Sequence, residues 1–205
     1  MLGKLLDAFR VADASLRSSY GNGFSRYFKF LYISFFRINV YEVFCIETMN
    51  YASDMVELDL EQWDLERLRT YREGKSLPRE FYMDVLKRLS TPWVALIEGK
   101  VAYIVWKVEK DRSRFLETGV QEVELSYSLT LPEFRRRGLH KRAYSTLIRR
   151  FGREGIERVF AVVHNGNVNS LRSLQSAGME SRGRILGIGR LVLKKKTAEI
   201  PARGN

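Results

Sequence analysis

Cysteine, histidine and proline are scarce in this chain of 205 residues, which has one cysteine, two histidines and four prolines. Cys45 has no second cysteine with which to form a disulfide, and this is typical of a protein in a reducing compartment. Neither His140 nor His164 lies near a cysteine cluster. We therefore predict no zinc site and no other metal site.

The chain also lacks the apolar run of about 18 residues that a membrane-spanning helix needs. Lys4, Asp7 and Arg10 interrupt the apolar N-terminus, which excludes the continuous apolar core of a signal peptide. Acidic residues are fewer than basic ones, 24 against 35, and the formal net charge is +11. We predict a cytoplasmic protein with an anionic partner: a phosphorylated cofactor, nucleic acid, an acidic protein or an anionic lipid surface.

Residues 121–151 contain the most informative pattern, a strand, a basic loop and an amphipathic helix. Pro132 ends the strand because it has no N–H for a ladder hydrogen bond. Arg135, Arg136, Arg137 and Gly138 follow, and the next residues are apolar at helical spacing. A helix start carries unpaired N–H groups and about half a positive charge. The pattern predicts a site for a phosphate-bearing ligand.

The strand of this pattern alternates between apolar and polar residues. The polar face predicted from a regular alternation contains Glu122, Glu124, Ser126, Ser128 and Thr130. We expect this face to line a cleft, with Glu124 as the candidate general base and the two serines available to orient an amine. An edge strand with a solvated face is the alternative.

Residues 1–37 are predicted to form a helical arm that is rich in aromatic residues. Within residues 24–37 one helical face carries aromatic and leucine side chains, and another face carries Arg26, Lys29 and Arg37. One interpretation is a helix that lies in a membrane interface. Packing on its own domain or on a second subunit is the other.

The remaining chain predicts a mixed α/β domain over residues 38–193 and a basic flexible tail over residues 194–205. The element order is strand, two helices, three strands, helix, strand, helix and one or two final strands. The first of the two helices is predicted over residues 59–71, and residues 110–120 are predicted to be a loop.

This order and two local motifs resemble the GNAT superfamily of acyl-CoA-dependent N-acyltransferases. The family's pyrophosphate loop reads Gln/Arg-x-x-Gly-x-Gly/Ala, and here Arg135 and Gly138 match while His140 replaces the last glycine or alanine. The second motif is an asparagine followed by Gly-Phe about eleven residues later, and here Asn167 precedes Gly178-Met179. The resemblance implies an α+β fold with a largely antiparallel sheet flanked by helices.

The resemblance also implies a reaction and the residues that perform it. The donor would be acetyl-CoA or another acyl-CoA, and the acceptor a small-molecule or protein amine. Thr130 and its neighbours Leu129 and Leu131 would face the acyl group, with Thr130 joining Glu124 as a catalytic residue. The implied donor-binding residues elsewhere are Arg135, Arg136, Arg137, Gly138, Leu139, His140, Asn167 and Ser170. Leu174 occupies the position of a tyrosine that protonates the leaving thiolate in many members.

Two alternatives follow from the same residues. An acyl carrier protein could replace CoA as the donor, which suits the positive charge and the aromatic arm. A GNAT-fold binding module without catalysis would explain Leu174 and His140. The spread of the basic residues and the lack of a recognised motif argue against nucleic acid binding, while a homodimer is compatible with the sequence.

Overall fold

The structure is a computed structural model that describes residues 28, 32, 35–49, 51–189 and 191–200. The chain divides into two compact units, which are described separately here. The smaller comprises Met1–Val40 and Leu186–Leu193, and the larger comprises Tyr41–Ile185 and Lys194–Asn205. The helix predicted near the N-terminus, around residues 2–16, lies outside the described residues.

A mixed sheet forms the centre of the larger unit. The strands in chain order are β1 (Ile38–Glu47), β2 (Leu60–Gln62), β3 (Thr91–Ile97), β4 (Lys100–Val108), β5 (Leu116–Glu117), β6 (Glu122–Thr130), β7 (Arg158–His164), β8 (Glu180–Ile188), β9 (Leu191–Val192) and β10 (Lys195–Lys196). The order across the sheet is β2-β3-β4-β6-β7-β1-β8, β9 pairs with the end of β8, and β5 and β10 form a separate two-stranded sheet. Within it β6 and β7 are parallel, whereas β2–β3, β3–β4, β4–β6 and β1–β7 are antiparallel.

In the described residues from β1 onward, four α-helices and three short 3-10 helices connect the strands. The α-helices are α1 (Leu65–Arg72), α2 (Met83–Lys87), α3 (Leu139–Arg153) and α4 (Val168–Ser176), and the 3-10 helices are Arg79–Tyr82, Pro132–Phe134 and Thr197–Glu199. Asp64 begins α1 because its carboxylate accepts a hydrogen bond from the N–H of Arg67 at 2.7 Å. The guanidinium of Arg72 at the end of α1 binds both carboxylate oxygens of Asp84, at 2.7 and 2.9 Å. This nearly buried ion pair fixes α1 to α2.

Two tryptophans show that the sheet has helices on both faces. Trp93 pairs with Val105, and Trp106 pairs with Pro92, so the two indoles point to opposite faces. The Trp93 ring contacts Phe151 of α3 at 6.1 Å between centroids. The Trp106 indole N–H donates to the Glu80 carbonyl at 2.7 Å on the other side. The predicted fold class, a largely antiparallel sheet flanked by helices, is confirmed.

Three parts of the chain differ from the prediction. Residues 59–71 contain the short strand β2 before α1 rather than a single helix. Residues 110–120 contain β5 and the buried Ser113 and Leu116. Residues 194–200 are not a flexible tail, because β10 pairs with β5 and Arg158 donates to the carbonyls of Thr197 and Ile200.

The smaller unit contains the end of a helix and a β-hairpin. Phe28, Tyr32 and Phe35 are helical, and the N–H of Phe36 closes the last turn on the Tyr32 carbonyl. The end of β8 pairs with β9, and the N–H of Gly189 in their turn donates to the Arg37 carbonyl at 2.7 Å. In the described part of the chain, no helix meets the length and apolarity needed to cross a membrane.

Candidate active site

Strands β6 and β7 pair over only three residues and then separate. The pairs are Glu122 with Arg158, Val123 with Val159 and Glu124 with Phe160. Beyond these, β7 stays paired with β1 as far as His164, and β6 stays paired with β4. The edge of β6 that follows Glu124 therefore has no strand partner among the described residues and borders an opening in the sheet.

A β-bulge at Tyr127 lies beside this opening. Tyr127 has a left-handed backbone, with φ of 52°, and the register between β4 and β6 shifts between Ile104 and Trp106. A bulge places one extra residue in its strand, which changes the face on which the following side chains lie. The regular alternation predicted for β6 is therefore interrupted at Tyr127.

The bulge divides the predicted polar face of β6 between the two sides of the sheet. Ser126 pairs with Trp106 and lies on the side of Glu80, and Glu124, two residues earlier, shares that side. Ser128 lies on the opposite side, where its hydroxyl is hydrogen-bonded to His140 of α3 at 3.1 Å. The prediction that Glu124, Ser128 and Thr130 share one face is wrong, because sequence alternation does not include the extra residue.

The backbone of Thr130 is directed toward the opening. The N–H of Leu131 donates to the carbonyl of Ala102 in β4 at 3.0 Å. In an antiparallel ladder, every second residue of a strand directs its N–H and C=O toward a given neighbouring strand. Because Leu131 bonds to β4, the N–H and C=O of Thr130 point away from β4. Consistent with this direction, Arg135 donates its Nε–H to the Thr130 carbonyl at 3.3 Å. Of the three candidate acyl-facing residues, Thr130 has the N–H best placed to receive a ligand, while the Leu131 N–H is already bonded.

The basic loop forms an open cradle of N–H groups at the start of α3. Arg136 and Gly138 have left-handed backbones, with φ of 63° and 67°. Gly138 precedes Leu139 as the N-cap, no side chain caps the helix, and the first turn contains no acidic residue. Alternating left-handed residues and uncapped helix N–H groups both form anion-binding concavities. Arg135, Arg136 and Arg137 are exposed around this cradle.

His140 turns its ring inward, away from the cradle. Its Nε2 is hydrogen-bonded to Ser128, and its ring lies 4.8 Å from Tyr144 and 6.0 Å from Tyr103. Burial lowers the pKa of His140 to about 4, so the imidazole is neutral at physiological pH. The side chain at this position therefore packs below the loop and leaves the backbone N–H groups accessible.

Glu124 is a buried carboxyl at the point where β6 and β7 separate. Its side chain accepts a hydrogen bond from the hydroxyl of Ser113, which itself accepts the N–H groups of Phe115 and Leu116. Burial raises the pKa of Glu124 to about 7, although the hydrogen bond from Ser113 and the charge of Lys194 act in the opposite direction. A carboxyl with this pKa can accept a proton near neutral pH.

The second motif forms the start of α4. The side chain of Asn167 caps this helix by accepting the N–H of Ser170 at 3.3 Å. Leu174, in the position where the family resemblance implies a proton-donating tyrosine, is buried in the core. His164 ends β7, and its Nδ1 accepts the N–H of Gly166 at 3.0 Å. The motif therefore has a clear structural role in ending β7 and beginning α4.

Sequence reasoning missed Ser113 and the tyrosines that pack around His140. Ser113 lies in the segment predicted to be a loop, and nothing near it in sequence indicates that it contacts Glu124. Tyr144 lies four residues after His140 on the helix, and this spacing is a signal that could have predicted their contact.

A comparison with protein families finds a match over residues 53–179, to the family described as "Acetyltransferase (GNAT) family". The matched segment includes β6, the cradle, α3, β7 and α4. No curated protein matches the chain.

Solved structures of acetyltransferases share the fold. An acetyltransferase from the GNAT family of Colwellia psychrerythraea superposes with a TM-score of 0.54 at 15% identity, over 75% of this chain and 57% of that chain. A GCN5-related N-acetyltransferase-like protein from Streptococcus suis 89/1591 superposes with a TM-score of 0.50 at 16% identity, over 79% of this chain and 65% of that chain. This chain thus spans less than two thirds of the length of either.

The raised pKa of Glu124 makes a prediction about stability. The pKa of this group in the folded state is above the value of 4.5 expected when it is exposed, so its contribution to stability is present at low pH and is lost as the pH rises through about 7. The substitution Glu124→Gln removes the ionisation. The change that Glu124→Gln causes in the free energy of unfolding should therefore be more favourable at pH 8.5 than at pH 4.5. The difference between the two pH values should be up to about 3 kcal/mol.

Urea denaturation of both proteins at the two pH values measures this difference. Glu117→Gln is the control, because Glu117 is an exposed glutamate nearby. A Glu124→Gln effect that is the same at both pH values would contradict the assigned burial of the charge.

Proposed function

The chain belongs to the GNAT acetyltransferase family, and from this premise we propose that it is an N-acyltransferase that moves an acyl group from acyl-CoA to an amine. The observation that carries the proposal is the opening between β6 and β7, with the Thr130 N–H at its edge and the cradle of α3 beside it. Acetyl-CoA is the donor that we test first.

The cradle is the proposed site for the pyrophosphate of the donor. N–H groups from Arg136 to His140 would bind its oxygens, and the guanidinium groups of Arg135 and Arg137 would neutralise its charge. The donor's pantetheine arm would then run along the opening toward Asn167 and Ser170, as the family resemblance implies. Gly138 leaves the space above the cradle open, since no atom lies within 4 Å of the position that a Cβ would take.

The two sides of the sheet have different proposed roles in acyl transfer. The side of α3 holds the donor, and the amine approaches from the side of Glu124. The carbonyl of the acyl group would lie in the opening and accept a hydrogen bond from the Thr130 N–H. Such a donor stabilises the negative charge that develops on the carbonyl oxygen, typically by about 3 kcal/mol.

Glu124 is the proposed general base. An amine must lose a proton to attack a thioester productively, and a carboxylate with a pKa of about 7 is matched to that task. Because the carboxyl is buried, the proton would reach it through a bound water or through the amine itself at the opening. Leu174 cannot protonate the thiolate, so the thiolate would leave unprotonated or take a proton from water.

An acyl carrier protein is the second candidate donor. The observation that favours it is the group of three exposed arginines around the cradle, which suits an acidic carrier that presents a phosphopantetheine arm. A thiol-release assay with acetyl-CoA, longer acyl-CoAs and acyl carrier protein, against a panel of primary amines, separates the candidates. Release from the carrier alone would favour the second donor. Tight binding of acyl-CoA without release from any amine would favour a non-catalytic module.

The proposed cradle predicts that Gly138→Val reduces the affinity for acetyl-CoA by more than about tenfold, since the new side chain occupies the space of the pyrophosphate. The matched control is Gly155→Val, near the other end of α3, about 25 Å away. Gly155 also has a left-handed backbone and open space around it. Both variants should lose about 1–2 kcal/mol of stability from backbone strain, and only Gly138→Val should lose binding in isothermal titration calorimetry. Equal affinities of the two variants would refute the cradle assignment.

The proposed base predicts a pH dependence of the reaction. With the best amine of the panel, the rate should increase with pH through about 7 as Glu124 loses its proton. Glu124→Gln should lower kcat by about 100-fold or more and remove this ionisation from the profile. Glu117→Gln should leave both unchanged. A Glu124→Gln enzyme with the wild-type rate and profile would exclude Glu124 as the base.

A further inference from the structure

Exposed apolar side chains are concentrated in the smaller unit. On the hairpin, Leu186 and Ile188 of β8 are 66% and 58% exposed, and Leu191 and Leu193 are 80% and 89% exposed. The exposed apolar residues before β1 include Tyr32, Phe35 and Phe36, and Ile38 is the first residue of β1; each is more than 60% exposed. Patches of this kind on a soluble protein mark interaction surfaces.

Three exposed aliphatic residues of the hairpin lie on one face, and a fourth, Leu193, follows the end of β9. Leu186 and Ile188 are two residues apart in β8, so they point to the same side. Leu191 is the cross-strand partner of Ile188 and shares that side, and Leu193 follows two residues later. We name these four exposed aliphatic residues the hairpin face: Leu186, Ile188, Leu191 and Leu193.

The aromatic segment joins the hairpin within the same unit. The N–H of Gly189 donates to the Arg37 carbonyl at 2.7 Å, and the side-chain amide of Asn39 donates to the carbonyls of both Arg37 and Gly189. Asn39 is buried at this junction. The exposed aromatic rings and the hairpin face therefore belong to two segments that are hydrogen-bonded to each other.

The charge of these segments is entirely positive. Residues 14–41 contain four Lys or Arg and no Asp or Glu, and residues 181–198 contain six and none. Leu193 is followed directly by Lys194, Lys195 and Lys196. A second copy of the chain would bring the same positive charge to this surface, so electrostatics oppose self-association there.

From this combination we propose that the hairpin face and the aromatic residues before β1 dock the protein on an anionic membrane surface. Aliphatic and aromatic side chains would enter the interface between head groups and acyl chains, while the flanking cations contact anionic head groups. The inference does not rest on the acyl transfer proposed above, since its apolar residues lie outside the cradle and the opening.

Sedimentation with vesicles tests the apolar part of the proposal. The wild-type chain should bind vesicles of phosphatidylcholine with 30% phosphatidylglycerol and should not bind vesicles of phosphatidylcholine alone. The double substitution Leu191→Ser and Leu193→Ser should weaken the binding by about tenfold or more, because it removes two side chains from the membrane interface. The matched control is Val85→Ser with Val120→Ser, which alters two apolar residues that are 71% and 90% exposed outside the smaller unit.

A charge substitution tests the cationic part with an independent variant. Lys194→Gln with Lys196→Gln should lower the affinity for the anionic vesicles by about fivefold for each cation. Lys75→Gln with Lys100→Gln removes the same charge from exposed positions in another part of the chain and should change the affinity by less than twofold. Circular dichroism melting checks that all four variants are folded.

Three results would overturn the proposal. The first is no binding of the wild-type chain to anionic vesicles, or equal binding to neutral ones. The second is wild-type affinity in the double leucine variant. The third is a wild-type dimer in sedimentation velocity that Leu191→Ser with Leu193→Ser converts to a monomer, which would assign the hairpin face to a second copy.

Discussion

The separation of β6 from β7 after Glu124 is the constraint on which the rest of the candidate site depends. A fully paired sheet would consume the N–H groups of β6 on both edges, whereas here one edge remains open. The bulge at Tyr127 lies beside this open edge. It holds a tyrosine in a left-handed backbone, which costs about 1–2 kcal/mol. The pairs on either side of the bulge, with the buried Ile104 and Trp106 of β4, hold this strained backbone in place.

Burial explains how one strand can hold both groups that we propose for acyl transfer, the Thr130 N–H and the Glu124 carboxyl. The Thr130 N–H lies in the plane of the sheet at the open edge, where it is available to a ligand. The Glu124 side chain lies on the Glu80 side of the sheet. Burial there raises its pKa, and the hydrogen bond from Ser113 orients it. In the proposed reaction, the bulge would allow the donor and the acceptor to approach from opposite sides of the sheet without competing for the same space.

The sequence predicted local features and missed those that depend on distant partners. The basic loop and the start of α3 were predictable, since Gly138, the three arginines and the helical spacing are neighbours in the chain. The side on which Glu124 lies was not, because the register between β4 and β6 determines the bulge and tyrosine is not a residue that marks a left-handed backbone. Residues 194–200 were predicted to belong to a flexible tail. The contacts that hold them in place are with β5 and Arg158, which are far away in sequence.

Amide hydrogen exchange followed by NMR with and without acetyl-CoA tests the central claim most directly, namely that the donor binds at the open edge of β6. In the free protein the Leu131 amide should exchange slowly, because it is bonded to Ala102, while the Thr130 amide exchanges fast. Acetyl-CoA should slow exchange at Thr130 and across residues 136–141 and leave α1 unchanged. A Thr130 amide that is already slow and does not respond, or protection of α1 alone, would contradict the account.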